Sequence, residues 1–308
     1  MIKLVFYGTG EFASKCLESI SSDDRFNIDA VITQPDRPIG RKQEFTSSPV
    51  KKIALNLGCP IYQPETLNEF EPPELAGSDL GVVAEYGIII PKRLLELPRR
   101  GTVNLHASIL PKYRGASPIQ TAIINGEKKT GVTLMLMDEK MDHGPIIAYA
   151  ETTIDDSEIR NNLFDRLAKI AGQLFLQKAA LWVDNKVIPV EQKHADATYC
   201  KILQREDGKV DFNKTAKEIY NLWRGLTPWP GVWASFQGKY MKFIDLSLAE
   251  RNDINPGVIT TDNGRILIGC AGNSSVEILE LQLEGKNVTE AKEFINGHRQ
   301  ANNVILNV

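Results

Sequence analysis

Two rhythms of apolar and polar residues divide this chain. Up to about residue 184, short unbroken apolar runs alternate with stretches in which apolar residues recur every three or four positions. "IKLVFYG", ending in Gly8, is such a run and predicts a buried strand. "IDAVITQ", "LGVVAEYG", "TVNLHA", "GVTLMLMD" and "PIIAYAETTI" predict further strands. Between them, "EFASKCLESISS", "PVKKIALNLG", "PKRLLELP" and "SPIQTAIING" have helical spacing. Gly58 reads as the stop of the second helix, and Ser117 with Pro118 as the N-cap and first residue of the last. "SEIRNNLFDRLAKIAGQLFLQKAALWVD" predicts one long amphipathic helix. Strands alternating with helices argue for α/β architecture with a doubly wound, mostly parallel, Rossmann-like sheet. Such a sheet keeps its ligands at the carboxyl ends of its strands.

The rhythm changes near residue 185. "NKVIPVEQKHADATYC" has no clear period and reads as a linker or an irregular crossover. Beyond it, one helical stretch, "KTAKEIYNLWRGL", precedes short alternating runs joined by turns. Among these, "TDNG" is a hairpin signal. The expected organisation is a sheet domain over 1–185, a linker over 186–203 and a small β-barrel or sandwich over 204–308.

Composition narrows the function classes. At 308 residues, 42% hydrophobic and 24% charged, the chain has the make-up of a soluble globular protein. Its formal net charge is −3, and from Lys201 onward it carries 13 basic and 13 acidic residues. No bulk basic field announces nucleic acid, so any such contact must use local patches. Cys16, Cys59, Cys200 and Cys270 are scattered without CxxC spacing. That argues against a zinc knuckle and suits a reducing compartment. No apolar run approaches the ~18 residues of a spanning helix, and the N-terminus turns Gly-rich too early for a signal peptide. The expectation is a cytoplasmic protein with no membrane segment and no metal.

Two strand ends carry candidate chemistry. "GTGEFA", Gly8 to Ala13, fits the dinucleotide fingerprint G-x-G-x-x-A. It reads either as a phosphate cradle or as a tight turn that brings helix and strand together. The acidic residue a dinucleotide site wants is poorly placed, because Asp36 lies between Pro35 and Pro38 in a loop. The second site is "NLHASILPKYRG". Asn104 and His106 are two apart on a strand and project to one face. The next strand runs into Asp138 and Asp142. An amide donor, a proton carrier and an orienting carboxylate suit acyl transfer, with oxyanion stabilisation and a proton shuttle. The only serine placed near them is Ser108, which reads better as a loop anchor than as a nucleophile. Direct transfer between two substrates is therefore expected.

From Asn104 to Ala148, "NLHASILPKYRGASPIQTAIINGEKKTGVTLMLMDEKMDHGPIIA" resembles the signature region of folate-dependent formyltransferases. The resemblance implies a catalytic set at Asn104, His106 and Asp142. It implies folate contacts at Ser108, Ile109, Leu110 and Pro111, and 10-formyltetrahydrofolate as formyl donor. "TQPDRPIGR" and "SSPVK" look like the pattern of the methionyl-tRNA branch of that family. There the segment after the second strand enters the acceptor end of the tRNA. The implied partners are initiator methionyl-tRNA and folate, with tRNA contacts at Arg41, Lys42 and Arg205 and a loop over 35–48 that orders on binding. The likeness continues through "VVAEYGIIIPK", "TYCKILQREDGKVDF" and "LTPWPGVW" and so covers essentially the whole chain. It implies an OB-like barrel at the C-terminus and a structural reading of "GTGEFA"; a monomer is expected.

Departures from the family pattern are also legible. Lys140 stands where a glycine is usual, so backbone strain is expected there if that position needs φ > 0. Gln43 and Glu44 replace common lysines, and Ile202 and Arg205 stand at two further lysine positions. Trp223, Trp229 and Trp233 are expected to be packing anchors. Three other classes stay open on the residues: a nucleotide-dependent oxidoreductase resting on "GTGEFA", a non-catalytic RNA-binding protein resting on the barrel, and an aminosugar formyltransferase, which "TQPDRP" speaks against.

Overall fold

The computed structural model describes residues 1–39 and 44–307; Arg41 and Lys42 lie outside the described residues. Two units are distinguished. The first comprises Met1–Pro118, Lys129–Thr153 and Asn162–Lys201, the second Ile119–Lys128, Ile154–Asn161 and Ile202–Val308.

The first unit is built on a seven-stranded sheet. Its strands are β1 (Ile2–Gly8), β2 (Phe26–Ile32), β3 (Ile61–Tyr62), β4 (Leu80–Ala84), β5 (Thr102–His106), β6 (Lys129–Leu136) and β7 (Ile146–Thr153). They lie in the order β3-β2-β1-β4-β5-β6-β7. The first five are parallel, β6 runs antiparallel to β5, and β7 antiparallel to β6. All five residues of β4 are buried, as expected of a strand covered on both faces. Val5, Tyr7, Ala30, Ile32 and Val83 cluster with Leu75, Leu94 and Leu95. The long helix Arg160–Val183 sets Phe164 against Phe12 and Phe175 against Phe26. The chain winds outward from β1 in both directions, so the strand order reverses between β1 and β4. That reversal opens a crevice at the carboxyl ends of the strands.

The segment 186–203, expected as a linker, belongs to the first unit as far as Lys201. Val190 bridges Ile146 at the start of β7, and Tyr199–Cys200 pairs in parallel with Arg114–Gly115. Its missing period reflects pairing through a few backbone positions rather than a buried face. The loop expected over 35–48 carries a short antiparallel pairing of Arg37–Ile39 with Glu44–Thr46.

The second unit is an antiparallel sheet running Val232–Phe236, Lys239–Ala249, Ser274–Leu283, Arg265–Cys270, Ile259–Asp262, with Val288–Glu290 added beside Ser274–Leu283. The "TDNG" turn joins two neighbouring strands through Asn263 at φ 48° and Gly264 at φ 82°. Positive φ at both central positions is what a two-residue hairpin needs. The sheet curls on itself. Asn303 and Val304 bond to Ile259 on one edge strand, while Asn307 bonds to Ser235 on the other. Phe236, Phe243, Ile266, Val276 and Ile278 lead its core. Ile124 and Ile159 pack against that core, and Arg224 donates to the carbonyls of Asp155 and Glu158. These contacts are why 119–128 and 154–161 group with this unit. No helix among the described residues is long and apolar enough to cross a membrane.

Candidate active site

β5 ends in the pair the sequence singled out. Leu105 is buried on the opposite side, and Asn104 and His106 face together. His106 is only 6% exposed. Its Nε2 lies 2.9 Å from the carbonyl oxygen of Tyr113. A carbonyl only accepts, so Nε2 carries the hydrogen and donates it. The other nitrogen, Nδ1, is then the one left to face the site. It faces Asp142 Oδ1 at 3.6 Å.

Asp142 is the hub of the site. Its Oδ1 accepts from Asn104 Nδ2 at 3.2 Å, and its Oδ2 accepts from the Gly115 N–H at 2.7 Å. Its carboxylate is 12% exposed, and its backbone sits at φ 47°. Left-handed backbone at a non-glycine residue is uncommon and marks a position that its surroundings hold in place. The loop's strain therefore falls on Asp142. Lys140, where the sequence led us to expect it, is not among the residues with positive φ. One amide hydrogen of Asn104 is committed to Asp142, and its second is available for a substrate oxygen.

Known proteins match the chain over nearly its full length. The family model described as formyl transferase matches residues 2–179, and the formyl transferase C-terminal domain matches 202–299. A methionyl-tRNA formyltransferase of Acidobacterium capsulatum is 43% identical over 97% of this chain and 98% of its own length. One from Koribacter versatilis is 42% identical over 96% of each. This chain belongs to the methionyl-tRNA formyltransferase family. Among solved structures, a Helicobacter canadensis N-formyltransferase in complex with folinic acid and dTDP-3-aminofucose is similar with TM-score 0.67. It is 23% identical, covering 90% of this chain and 99% of its own. The sugar 3N-formyltransferase WlaRD, with dTDP and 5-N-formyl-THF, matches at TM-score 0.66 and 22% identity, covering 93% of this chain and 99% of its own. At those identities the likeness is one of fold.

In this formyltransferase, "GTGEFA" is a structural turn. A β-carbon on Gly8 would lie 2.7 Å from the Ala13 β-carbon, and one on Gly10 would run into the Glu85 carboxylate. Glu85 Oε2 accepts the Phe12 N–H at 3.0 Å. The helix Glu11–Ser21 therefore has an anion at its N-terminus already, supplied by the chain itself. Ser108 is fully buried and donates to the Lys112 carbonyl at 2.6 Å, so its hydroxyl anchors the loop. Thr133 Oγ1 ties that loop to β6, donating to Ser108 O and accepting from Leu110 N. Leu110 is buried, while Ile109 and Pro111 are half-buried.

The site also uses residues that the sequence reading did not select. Arg114, 1% exposed, donates from Nη2 and Nε to Gln192 Oε1 at 2.6 and 3.2 Å. Its Nη2 also reaches His194 Nδ1 at 2.9 Å, and its Nη1 reaches the Tyr199 hydroxyl at 3.4 Å. Gln192 Nε2 donates to the carbonyls of Asp142 and Gly144 at 2.9 and 2.7 Å. His143 stacks on His194 with centroids 3.9 Å apart and bonds Asp138 at 2.6 Å. Partial desolvation, with His143 and Arg114 alongside, holds the His194 imidazole below its ordinary pKa. Asp138 thus serves the rim of the loop, and Asp142 its interior. Only the Arg-Gly pair in "KYRG" hinted at any of this.

At the base of the 37–46 pairing, Asp36 accepts from Lys51 Nζ at 2.7 Å and from Gln63 Nε2 at 2.8 Å. Those bonds hold its carboxyl below the usual range. In the second unit, Arg205 lies over the Tyr240 ring at 4.6 Å, and Tyr240 stacks on Trp233 at 4.5 Å. Trp223 is buried, with its Nε1 donating to Ile244 O. Trp229 departs from the expected packing role. Held between Pro228 and Pro230 in the turn before the first barrel strand, it is 62% exposed.

Proposed function

We propose that this chain transfers the formyl group of 10-formyltetrahydrofolate to the α-amino group of methionine on initiator methionyl-tRNA. The observation that carries this reading is near-complete coverage of methionyl-tRNA formyltransferases at 37–43% identity. The convergence of Asn104, His106 and Asp142 supplies the chemistry.

The amine lone pair attacks the formyl carbon, and the carbonyl oxygen becomes an oxyanion. The free N–H of Asn104 and the Nδ1–H of protonated His106 stabilise it, while Asp142 offsets the charge of the imidazolium. As the intermediate collapses, the bond from carbon to folate N10 breaks. N10 takes up one proton, and the former amine, now an amide, gives one up. His106 Nδ1, or a water held by Asp142, carries it. Ser108, Ile109, Leu110 and Pro111 form the folate-side wall in this reading. Arg41 and Lys42 meet the acceptor stem, and Arg205 the tRNA on the barrel side. The protein acts as a cytoplasmic monomer.

The test is formyl transfer to charged initiator methionyl-tRNA, with uncharged tRNA and an aminosugar nucleotide as controls. Wild type transfers to the methionyl end, and His106→Ala loses about 10²–10³ in rate. Folate turnover with the aminosugar alone would overturn the reading.

A further inference from the structure

We infer that Gln192 is a positioning residue for formyl transfer, acting through the main chain of Asp142 and fixed in place by Arg114. This rests on the formyl-transfer reading above. Gln192 is 5% exposed, and both ends of its amide are engaged. Its oxygen takes two bonds from the Arg114 guanidinium, and its nitrogen gives one each to the carbonyls of Asp142 and Gly144. The direction of these bonds matters. Arg114 only donates, so it orients the amide with oxygen toward itself and N–H₂ toward the loop. The loop carbonyls only accept, so no residue without a donor can replace that contact.

The conformation being held is a costly one. Asp142 adopts φ 47° without being glycine, and in that pose its carboxylate spans Asn104 and the Gly115 N–H while facing His106 Nδ1. Capturing the carbonyls on either side of His143 fixes the peptide on each flank of the turn. Gly144 is packed as tightly, since a β-carbon there would overlap the Leu136 carbonyl oxygen. The foundation is equally rigid. Arg114 lies in the two-residue pairing with Tyr199–Cys200, and its N–H donates to Thr198 O at 2.9 Å. Gln192 touches no reacting atom; its effect passes through Asp142.

Three variants separate positioning from mere support. Gln192→Met keeps the volume and removes every bond. Gln192→Glu keeps an acceptor for Arg114 and loses both donors to the loop. Arg114→Lys keeps the charge and loses the planar fork. Sites would be counted by binding of 5-formyltetrahydrofolate, and single-turnover transfer to methionyl-tRNA measured per site across pH. All three are expected to transfer about ten- to a hundredfold more slowly, with a displaced pH–rate profile and with KM for methionyl-tRNA within about twofold of wild type. Gln192→Glu is decisive: it should be as slow as Gln192→Met even where its melting temperature is the higher of the two. Wild-type rate per site and pH profile in Gln192→Met, or wild-type rate in Gln192→Glu, would overturn the inference. A wild-type protein that fails to formylate methionyl-tRNA would instead sink the function itself.

Discussion

Gly115→Ala offers a direct test of how the site is held. Gly115 sits at φ 114°, a backbone region closed to L-residues. A β-carbon there would overlap the Cys200 carbonyl oxygen and meet its carbonyl carbon at 3.3 Å and its Sγ at 3.5 Å. The obstacle is backbone, part of the pairing that ties Tyr199–Cys200 to Arg114–Gly115, and cannot swing aside as a side chain would. The conformational term costs about 1–3 kcal/mol, and relieving the overlap about 1–3 kcal/mol more, so about 2–6 kcal/mol is expected in total. Any shift also moves the N–H that holds Asp142 Oδ2. Urea unfolding would measure the first effect, and single-turnover transfer under conditions where the variant stays folded would measure the second. A variant within about 1 kcal/mol of wild type, with an unchanged rate, would refute the argument: the 199–200 segment would then be free to move away, and Asp142 would not depend on it.

Other consequences are smaller but equally checkable. Thr215 and Glu218 cap the helix Ala216–Leu226 reciprocally, so Thr215→Ala should cost about 1 kcal/mol in urea unfolding. His194 has its pKa depressed in the folded state, so the unfolded chain binds the extra proton first as pH falls. Its contribution is complete above the ordinary histidine pKa of about 6.5 and is lost as pH drops through the lower folded value. The melting temperature of wild type should therefore fall more steeply below neutrality than that of His194→Gln, and parallel curves would contradict the assignment. Trp229→Ala should change stability by no more than about 0.5 kcal/mol, because its ring lies largely outside the core; a larger loss in the same urea titration would show hidden packing.

Legibility in the sequence followed the physics of each feature. Strands buried on both faces appear as unbroken apolar runs, so β1, β4 and β5 were readable. Asn104 and His106 were readable because two polar residues spaced by two break such a run at its end. Ile61–Tyr62 is too short to show a period. Gln192 was hidden for a different reason. It acts on main-chain carbonyls about fifty residues away, and carbonyls are the same at every position. The strain at Asp142 was hidden too, because dihedral angles follow from how the loop is tied. The same holds for Trp229, whose flanking prolines mark a turn without saying which way the ring points.

The Glu85 carboxylate at the first helix links two positions that are 75 apart in the chain. A larger residue at 10 requires the Glu85 carboxylate to swing aside or residue 85 to be smaller, and either change takes the anion away from the Phe12 N–H. Position 10 thus bears on the helix cap through residue 85, although the two never adjoin in the chain. The same occupancy puts the chain's own carboxylate at a helix N-terminus, the place where folds of this kind can hold a phosphate.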